Sequence, residues 1–330
     1  MTRLSSLPRG LSAIAIALAA TSLIGAAHAH SAYPTRPITF INPYAAGGPG
    51  DILGRIVSQK MSSLLGQPII IEAKPGGGAT IGAAYVARAP ADGYTLLLGT
   101  AAAHIVTPMM QGVPYDGVKD FAFAAMVGNI PNVLTVHPGT GITSVQALID
   151  ISKASPDKLN YGSAGNGTSP HITGENFKLK TGAKLLHIPY KGAAPAATDM
   201  VSGAVQVGFI NLPAVLPFIQ DQRLKALAIA AAQRSPALPD VPTFAELGYD
   251  GFEGSSWYSL AAPAGTPQPI LDKLRDALAK TLDDKQVQEQ LAKQGVEGFL
   301  MDGKTATDFI QKDQQRIRAL LDAAGLLSKK

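Results

Sequence analysis

Two stretches of this chain carry the residue types that grip an anion without a charged side chain. The first is "PYAAGGPGDILGR", Pro43 to Arg55, where Ala45, Ala46, Gly47, Gly48 and Gly50 crowd the junction between an apolar run and an amphipathic one. The second is "NYGSAGNGTSPHITGENF", Asn160 to Phe177, again an apolar run, a small-residue loop and an amphipathic run. A helix that starts at such a corner presents unpaired N–H groups and the positive end of its dipole. Glycine and alanine let an anion approach those groups closely, and a carboxylate, phosphate or sulfate fits equally well. Small residues also permit tight strand–helix turns, which is the plain structural alternative. Two paired corners favour the binding reading, because ligands collect at the carboxyl ends of strands in α/β sheets.

The other chemistries have less to stand on. "AGGPGDILG" and "GGGATIG" both miss G-x-G-x-x-G, with Leu53 and Ile81 at the sixth position. "GFLMDGKT", Gly298 to Thr305, satisfies the P-loop pattern. Its context rejects it: Phe299, Leu300 and Met301 read as a buried strand, and Asp302 would face phosphates with the wrong charge. There is no cysteine, hence no thiol nucleophile and no cysteine-held metal. His104, His137, His171 and His187 are scattered without metal-site spacing, and no serine lies in G-x-S-x-G. A triad is set by geometry and not by spacing, so an exported hydrolase or lyase in the same cleft stays open as an alternative. No metal and no cofactor are expected. Asp51, in a first helical turn, reads as a dipole-stabilising residue, and Arg55 as a solvent-facing one. Lys191 ends a strand, where it is either solvated or paired with a carboxylate. Asp199 would repel an anion directly and is expected to act through loop N–H groups or a bridging water.

These residues need elements to hold them. The 330 residues are 46% apolar and 16% charged, a globular composition long enough for two domains. Residues 1–29 read as a secretory leader: Arg3 and Arg9, an apolar core from Leu11 to Ile24, and a cut after Ala29. Its loss removes two arginines and no acids from a net charge of +4, leaving too little positive charge to suggest nucleic acid. After Pro37 strand-like and helical runs alternate, among them separate strands at "FAFAAMV" and "NVLTVH" and a helix capped by Thr266 with Pro267 at its first position. The alternation predicts α/β layers with largely parallel sheets. One glycine corner per half predicts two similar lobes facing across a cleft. The expected crossovers are "FAFAAMVGNIPNVLTVH" and "GFEGSSWYSLAAP", which divide the chain into 30–131 plus 256–330 and 132–255.

Six ordered stretches carry a family likeness. They are "YPTRPITFINPYAAGGPGDILGR", "PIIIEAKPGGGATIGAAYVARAPADGYTLLLGT", "LNYGSAGNGTSPH", "IPYKGAAPAATDM", "QRSPALPDVPTFAELGY" and "SSWYSLAAPAGTPQPILDKL". From Tyr33 to about Leu326 the chain resembles the substrate-binding proteins of tripartite tricarboxylate transporters, the Bug family. The resemblance implies a type II periplasmic-binding-protein fold, a Venus flytrap of two α/β lobes joined by two hinge crossovers. It also implies a periplasmic carrier, expected as a monomer, that delivers a small carboxylate to integral-membrane permease subunits driven by an ion gradient. A ligand sensor docking on a membrane kinase is a further alternative. By motif, the ligand residues it implies are Tyr44, Ala46, Gly47 and Gly48 in the first corner, with Gly78 and Ala79 from "GGGAT". From the second lobe come Ser163, Ala164, Gly165, Thr168, Ser169 and His171, with Tyr190 and Asp199 behind them. The chain departs from the family at Gln206 and Asn211, where relatives often carry aspartate, and at His171, often aliphatic.

Overall fold

A computed structural model describes residues 33–328 apart from 157 and 253; the leader read in 1–29 and its cleavage site lie outside the described residues. Ten strands form one mixed sheet: β1 (Ile38–Asn42), β2 (Ile69–Ala73), β3 (Thr95–Thr100), β4 (Phe121–Val136), β5 (Asn160–Ser163), β6 (Leu186–Pro189), β7 (Val207–Asn211), β8 (Lys225–Ala230), β9 (Ser255–Pro263) and β10 (Glu297–Asp302). Their order is β2-β1-β3-β9-β4-β7-β5-β6, and β8 and β10 also pair with β4.

The sheet is less parallel than the alternation predicts. Parallel pairing is confined to β1 with β2 and β3, and to β5 with β6 and β7. Every pairing of β4 and β9 is antiparallel. The two runs expected as separate strands are one, the 16-residue β4. Its partners change sharply along its length. Phe121 to Pro131 pair with β9, while Asn132 to Val136 pair with β7 and β8. Pro131 sits where the exchange happens; it has no N–H to give a ladder, which suits the junction of two half-sheets.

Helices cover both halves. In the first are α1 (Pro49–Leu65) and α2 (Thr80–Ala87), then a π-helical turn (Ala102–Val106) running into the one-turn α3 (Thr107–Met110). In the second are α4 (Val145–Ala154), α5 (Ser169–Thr181), α6 (Ala193–Val201) and α7 (Leu212–Gln220). The chain closes with α8 (Gln268–Leu282), α9 (Lys285–Lys293) and α10 (Gly303–Ala323). In α8 the 3–4 spacing of Leu271, Leu274, Leu278 and Leu282 buries one face. Its cap is Pro267, one residue later than expected, because Thr266 Oγ1 donates back to Pro263 O at 2.8 Å. One core, built on Ile41, Leu97, Met126 and Ile310, lies in the first half. Two others lie in the second: Phe177, Phe209 and Phe244 in one, Met200, Ile210 and Leu216 in the other.

The P-loop-like stretch resolves as β10 plus the start of α10. Asp302 caps that helix by accepting from Thr305 N at 2.8 Å, so a side chain of the protein already occupies the place a phosphate would need. The strand is not buried as predicted. It pairs only with β4, and Leu300 is exposed.

Candidate functional site

The site grows from the ends of β1 and β5. β1 stops at Asn42, and the chain turns through Ala45–Gly48 into α1, whose first position is Pro49 and whose N-cap Gly48 offers no side-chain bond. Gly47 takes φ +76°, which an L side chain adopts only with strain. Asp51 does more than complement the dipole: its Oδ2 accepts from Gly47 N at 3.1 Å and from Arg55 Nε at 2.9 Å, tying the corner to its own helix. β5 stops at Ser163 and leads through Ala164–Thr168 into α5, again without a side-chain cap bond. Helices α6 and α7 begin the same way, from Gly192 and Asn211, and neither has a side-chain cap bond.

The loops of the two halves close on each other. Ala45 N donates to Lys191 O at 3.1 Å. A Cβ on Gly78 would meet Asn166 O at 2.2 Å, and one on Gly167 would meet Thr107 Oγ1 at 2.6 Å. The closed arrangement encloses a cavity of about 180 Å³ lined by Tyr44, Gly76–Gly78, Gln111, Ala164–Asn166 and Pro189–Lys191. Beneath it a smaller void of about 10 Å³ is bounded by Tyr44, Thr168, Ala193, Asn211, Ser256 and Tyr258.

Of the residues named from sequence, Tyr44, Gly78, Ala164, Gly165, Thr168 and Tyr190 border these spaces. Ala46, Gly47 and Gly48 form the turn that carries α1, and Ala79 is buried at φ +80° behind Gly78. The remaining four stand behind the loops. Ser163 has no solvent exposure; its Oγ accepts from Gly165 N at 3.1 Å and lies 2.7 Å from His187 Nε2. His171 Nδ1 accepts from Gly167 N at 3.1 Å, and its ring stacks on His187 with centroids 4.2 Å apart. Ser169 Oγ accepts from Asn132 Nδ2 at 2.8 Å. Asp199 Oδ2 accepts from Tyr190 OH at 2.6 Å, which fixes the ring that walls the cavity.

Sequence reasoning missed Asn42, Gln111, Ser256 and Tyr258. Asn42 is fully buried; its Oδ1 accepts from Tyr44 N at 3.2 Å, and its Nδ2 has no hydrogen-bond partner. It is the one such buried side-chain atom among the described residues. A Cβ on Gly50 would lie 2.9 Å from Asn42 Oδ1 and 3.2 Å from the Tyr258 ring, so Asn42 packs against the first turn of α1, beside a ring that borders the void. The available signal was position: Asn42 is the last residue of the strand entering the corner, and Ser256 and Tyr258 alternate along the crossover.

Lys191 is the one charged residue that lines the cavity. Burial pushes the Tyr44 hydroxyl up to about 12, with its bond to Thr100 Oγ1 at 2.9 Å pulling the other way. Burial raises the Tyr258 and Tyr190 hydroxyls as well, Tyr190 with the added effect of Asp199. These phenols stay protonated near neutrality and serve as donors. Burial holds His171 down near 4 and His187 near 3, so both rings are neutral, and His171 Nδ1 is free to accept from Gly167 N. Among the described residues no cluster of three or more metal-ligating side chains occurs.

Two half-sheets, exchanged through β4 and β9 with opposed helix N-termini at their junction, are the architecture of the two-lobed periplasmic binding proteins. The solved periplasmic binding protein BugD superposes with a TM-score of 0.86 at 32% identity, covering 89% of this chain and 99% of its own. A protein of R. palustris, Rpa4515, solved with adipate, matches with a TM-score of 0.86 at 33% identity, over 89% of this chain and 98% of its own. Residues 53–326 match the model of the tripartite tricarboxylate transporter family receptor, and the chain belongs to that family. Protein BugT of Bordetella pertussis is 36% identical over 308 residues, 93% of this chain and 94% of BugT.

Proposed function

We propose that this chain captures a small organic carboxylate between its two lobes and hands it to membrane permease subunits. The observation that carries the reading is the meeting of two uncapped helix N-termini, α1 and α5, across a closed void. Main-chain amides at such termini bind a carboxylate without a counter-ion. Tyr44 supplies a protonated hydroxyl, Tyr190, whose proton goes to Asp199, supplies an aromatic wall, and Lys191 stands exposed at the rim. The adipate bound by Rpa4515 supports a dicarboxylate of similar length.

The lobes divide at 131/132, where β4 exchanges β9 for β7 and β8, and at 255/256, beside the first residue of β9. The leader read in residues 1–29 directs export, and no helix among the described residues is long and apolar enough to cross a membrane. The protein carries and does not convert its ligand. Two serine–histidine contacts among the described residues resemble a nucleophile–base pair, Ser163 with His187 at 2.7 Å and Ser259 with His104 at 3.4 Å, yet both serines are sealed from solvent.

Thermal unfolding against a carboxylate panel (adipate, succinate, malate, citrate, terephthalate) tests this reading. At a thousandfold excess over Kd, linkage stabilises the folded state by about 4 kcal/mol. A clear rise in Tm with the acid recovered unchanged is the expected result. Conversion of the acid into product would end the carrier reading, and no shift across the panel would end the carboxylate assignment.

A further inference from the structure

A second cavity, of about 410 Å³, lies across the sheet from the cleft. Strand alternation establishes the sidedness. On β9, Ser256 and Tyr258 border the cleft void, while Ser255 and Trp257 border this cavity. One wall is α5, with Ile172, Thr173 and Asn176; the opposite wall is α10, with Phe309, Ile317 and Leu320. The floor is the pair of crossovers, through Asn129 of β4 and Trp257 of β9, which face each other in register. The cavity therefore touches both halves of the molecule and the strands that join them.

Its chemistry is specific. Trp257 and Phe309 meet edge to face with centroids 6.1 Å apart, and Phe252 and Phe299 extend the aromatic lining. Asp313, 8% exposed, is already satisfied: Oδ2 accepts from Trp257 Nε1 at 2.9 Å, and Oδ1 from Arg316 Nε at 2.8 Å. The acid and the base thus neutralise each other, and the pair brings no net charge to the cavity. The Asn129 carboxamide makes no hydrogen bond with another described residue. A cavity of this size, with aromatic walls and the Asn129 carboxamide open to a partner, suits a small organic molecule.

We infer that this cavity is a second ligand site, for an uncharged aromatic or alicyclic molecule of one or two rings bearing a single hydroxyl or amide, and that its occupant favours closure of the cleft. The ring lies on Trp257 and Phe309, and its polar group meets Asn129. The sign of the coupling follows from the pivot. The crossover strands lie between the two cavities, so opening the cleft on one face brings α5 and α10 together on the other. A molecule that fills the rear cavity of the closed form resists that approach. Ser169 and Thr173 make the connection tighter still. Both border the rear cavity, and both accept from Asn132 Nδ2 within the hinge. By reciprocity, a guest that favours closure must also tighten the cleft ligand. This coupling rests on the two-lobed closing proposed above; occupancy of the cavity does not.

Trp257 is the only tryptophan of the chain and reports directly on its surroundings. Titration of the intact protein with benzyl alcohol should change its emission saturably, with no carboxylate present. Asn129→Ala should weaken benzyl alcohol by about tenfold relative to toluene, the loss of one hydrogen bond. Ile172→Phe should abolish binding of both; Leu320→Phe, from the other wall, repeats the test if that variant does not fold by circular dichroism. Small-angle scattering should show a smaller radius of gyration on loading of the wild type and none in the filled variant. No saturable change in the wild type, or a change that survives filling, overturns the site. Saturable binding with an unchanged or larger radius overturns the coupling. Failure of every acid in the carboxylate panel would sink the carrier reading while leaving these results to stand or fall by themselves.

Discussion

Gly78 shows how much a single residue decides at closure. Its φ is +61°, and a methyl group on it would sit 2.2 Å from the carbonyl oxygen of Asn166 on the facing loop. Gly47 has similar dihedral strain, φ +76°, but open space where its Cβ would be. The pair separates strain from collision. Gly78→Ala and Gly47→Ala should each cost about 1–2 kcal/mol of stability through left-handed backbone. Only Gly78→Ala should also block the approach of the loops, weakening carboxylate binding at least tenfold by titration calorimetry; equal losses in both variants would count against the closed geometry. Gly48, the most suggestive glycine in the sequence, is extended at φ −84°, and its Cβ would lie 3.3 Å from Ala45 O. Closeness to the site and a demand for glycine are therefore separate properties.

At the scale of elements, the loop from β5 to α5 is held from behind by two neutral imidazoles. His171 accepts from Gly167 N, and His187 engages the serine that accepts from Gly165 N. The groups around the pair are Tyr161, stacked on His187, and Glu175, which accepts from Tyr161 OH and from Lys178. Burial lowers His171 from 6.5 to about 4, opposed by Glu175 and aided by Lys178. The unfolded chain thus takes up this proton first. The stabilisation is complete above about pH 6.5 and is lost as pH falls towards 4, with a slope of up to ~1.4 kcal/mol per pH unit for each such group. His187 and the buried His104, also lowered by burial to about 4, add to the same slope. His171→Gln keeps an acceptor but removes one titrating ring. Denaturant unfolding between pH 4 and 7 should show a shallower acid slope in this variant, with little change above pH 7. An unaltered slope would show that His171 is charged or exposed in the fold.

For the whole molecule, the decisive device is the hydrogen-bonded junction inside the hinge. Asn132 Nδ2 donates to Ser169 Oγ and Thr173 Oγ1, both at 2.8 Å. Asn211 Nδ2 donates to Asn132 Oδ1 at 2.8 Å and to Ser256 Oγ at 2.9 Å. The network joins β4, α5, β7 and β9, and with them both crossovers. It also gives the departure at position 211 a physical meaning. An aspartate there could donate to neither Asn132 nor Ser256, so asparagine is matched to this chain's own hinge. Asn132→Leu strands donors and acceptors in a buried place and should destabilise by about 2–4 kcal/mol. For a protein of this size calorimetry should show Tm lower by roughly 5–10 °C. A change within 1–2 °C, about half a kcal/mol, would mean that the network contributes orientation and not stability.

Local pattern alone determined the two glycine corners, the amphipathic helices such as α8 and the rejection of the P-loop-like stretch at Gly298–Thr305. Each of these depends on neighbours in sequence: a helix start, a 3–4 spacing, a cap. The tertiary structure decided what depends on partners far along the chain. It made β4 a single strand by supplying β9 to one end and β7 with β8 to the other. It turned a largely parallel expectation into a mixed sheet, because the crossover strands must return through the same layer. It placed Ser163 and His171 behind the loop, where their hydrogen bonds shape main-chain amides, tied Ser169 to Asn132, and brought Gln111, Ser256 and Tyr258 to the cleft spaces. Spacing shows which residues share a face of one element; only long-range pairing sets which faces of different elements meet.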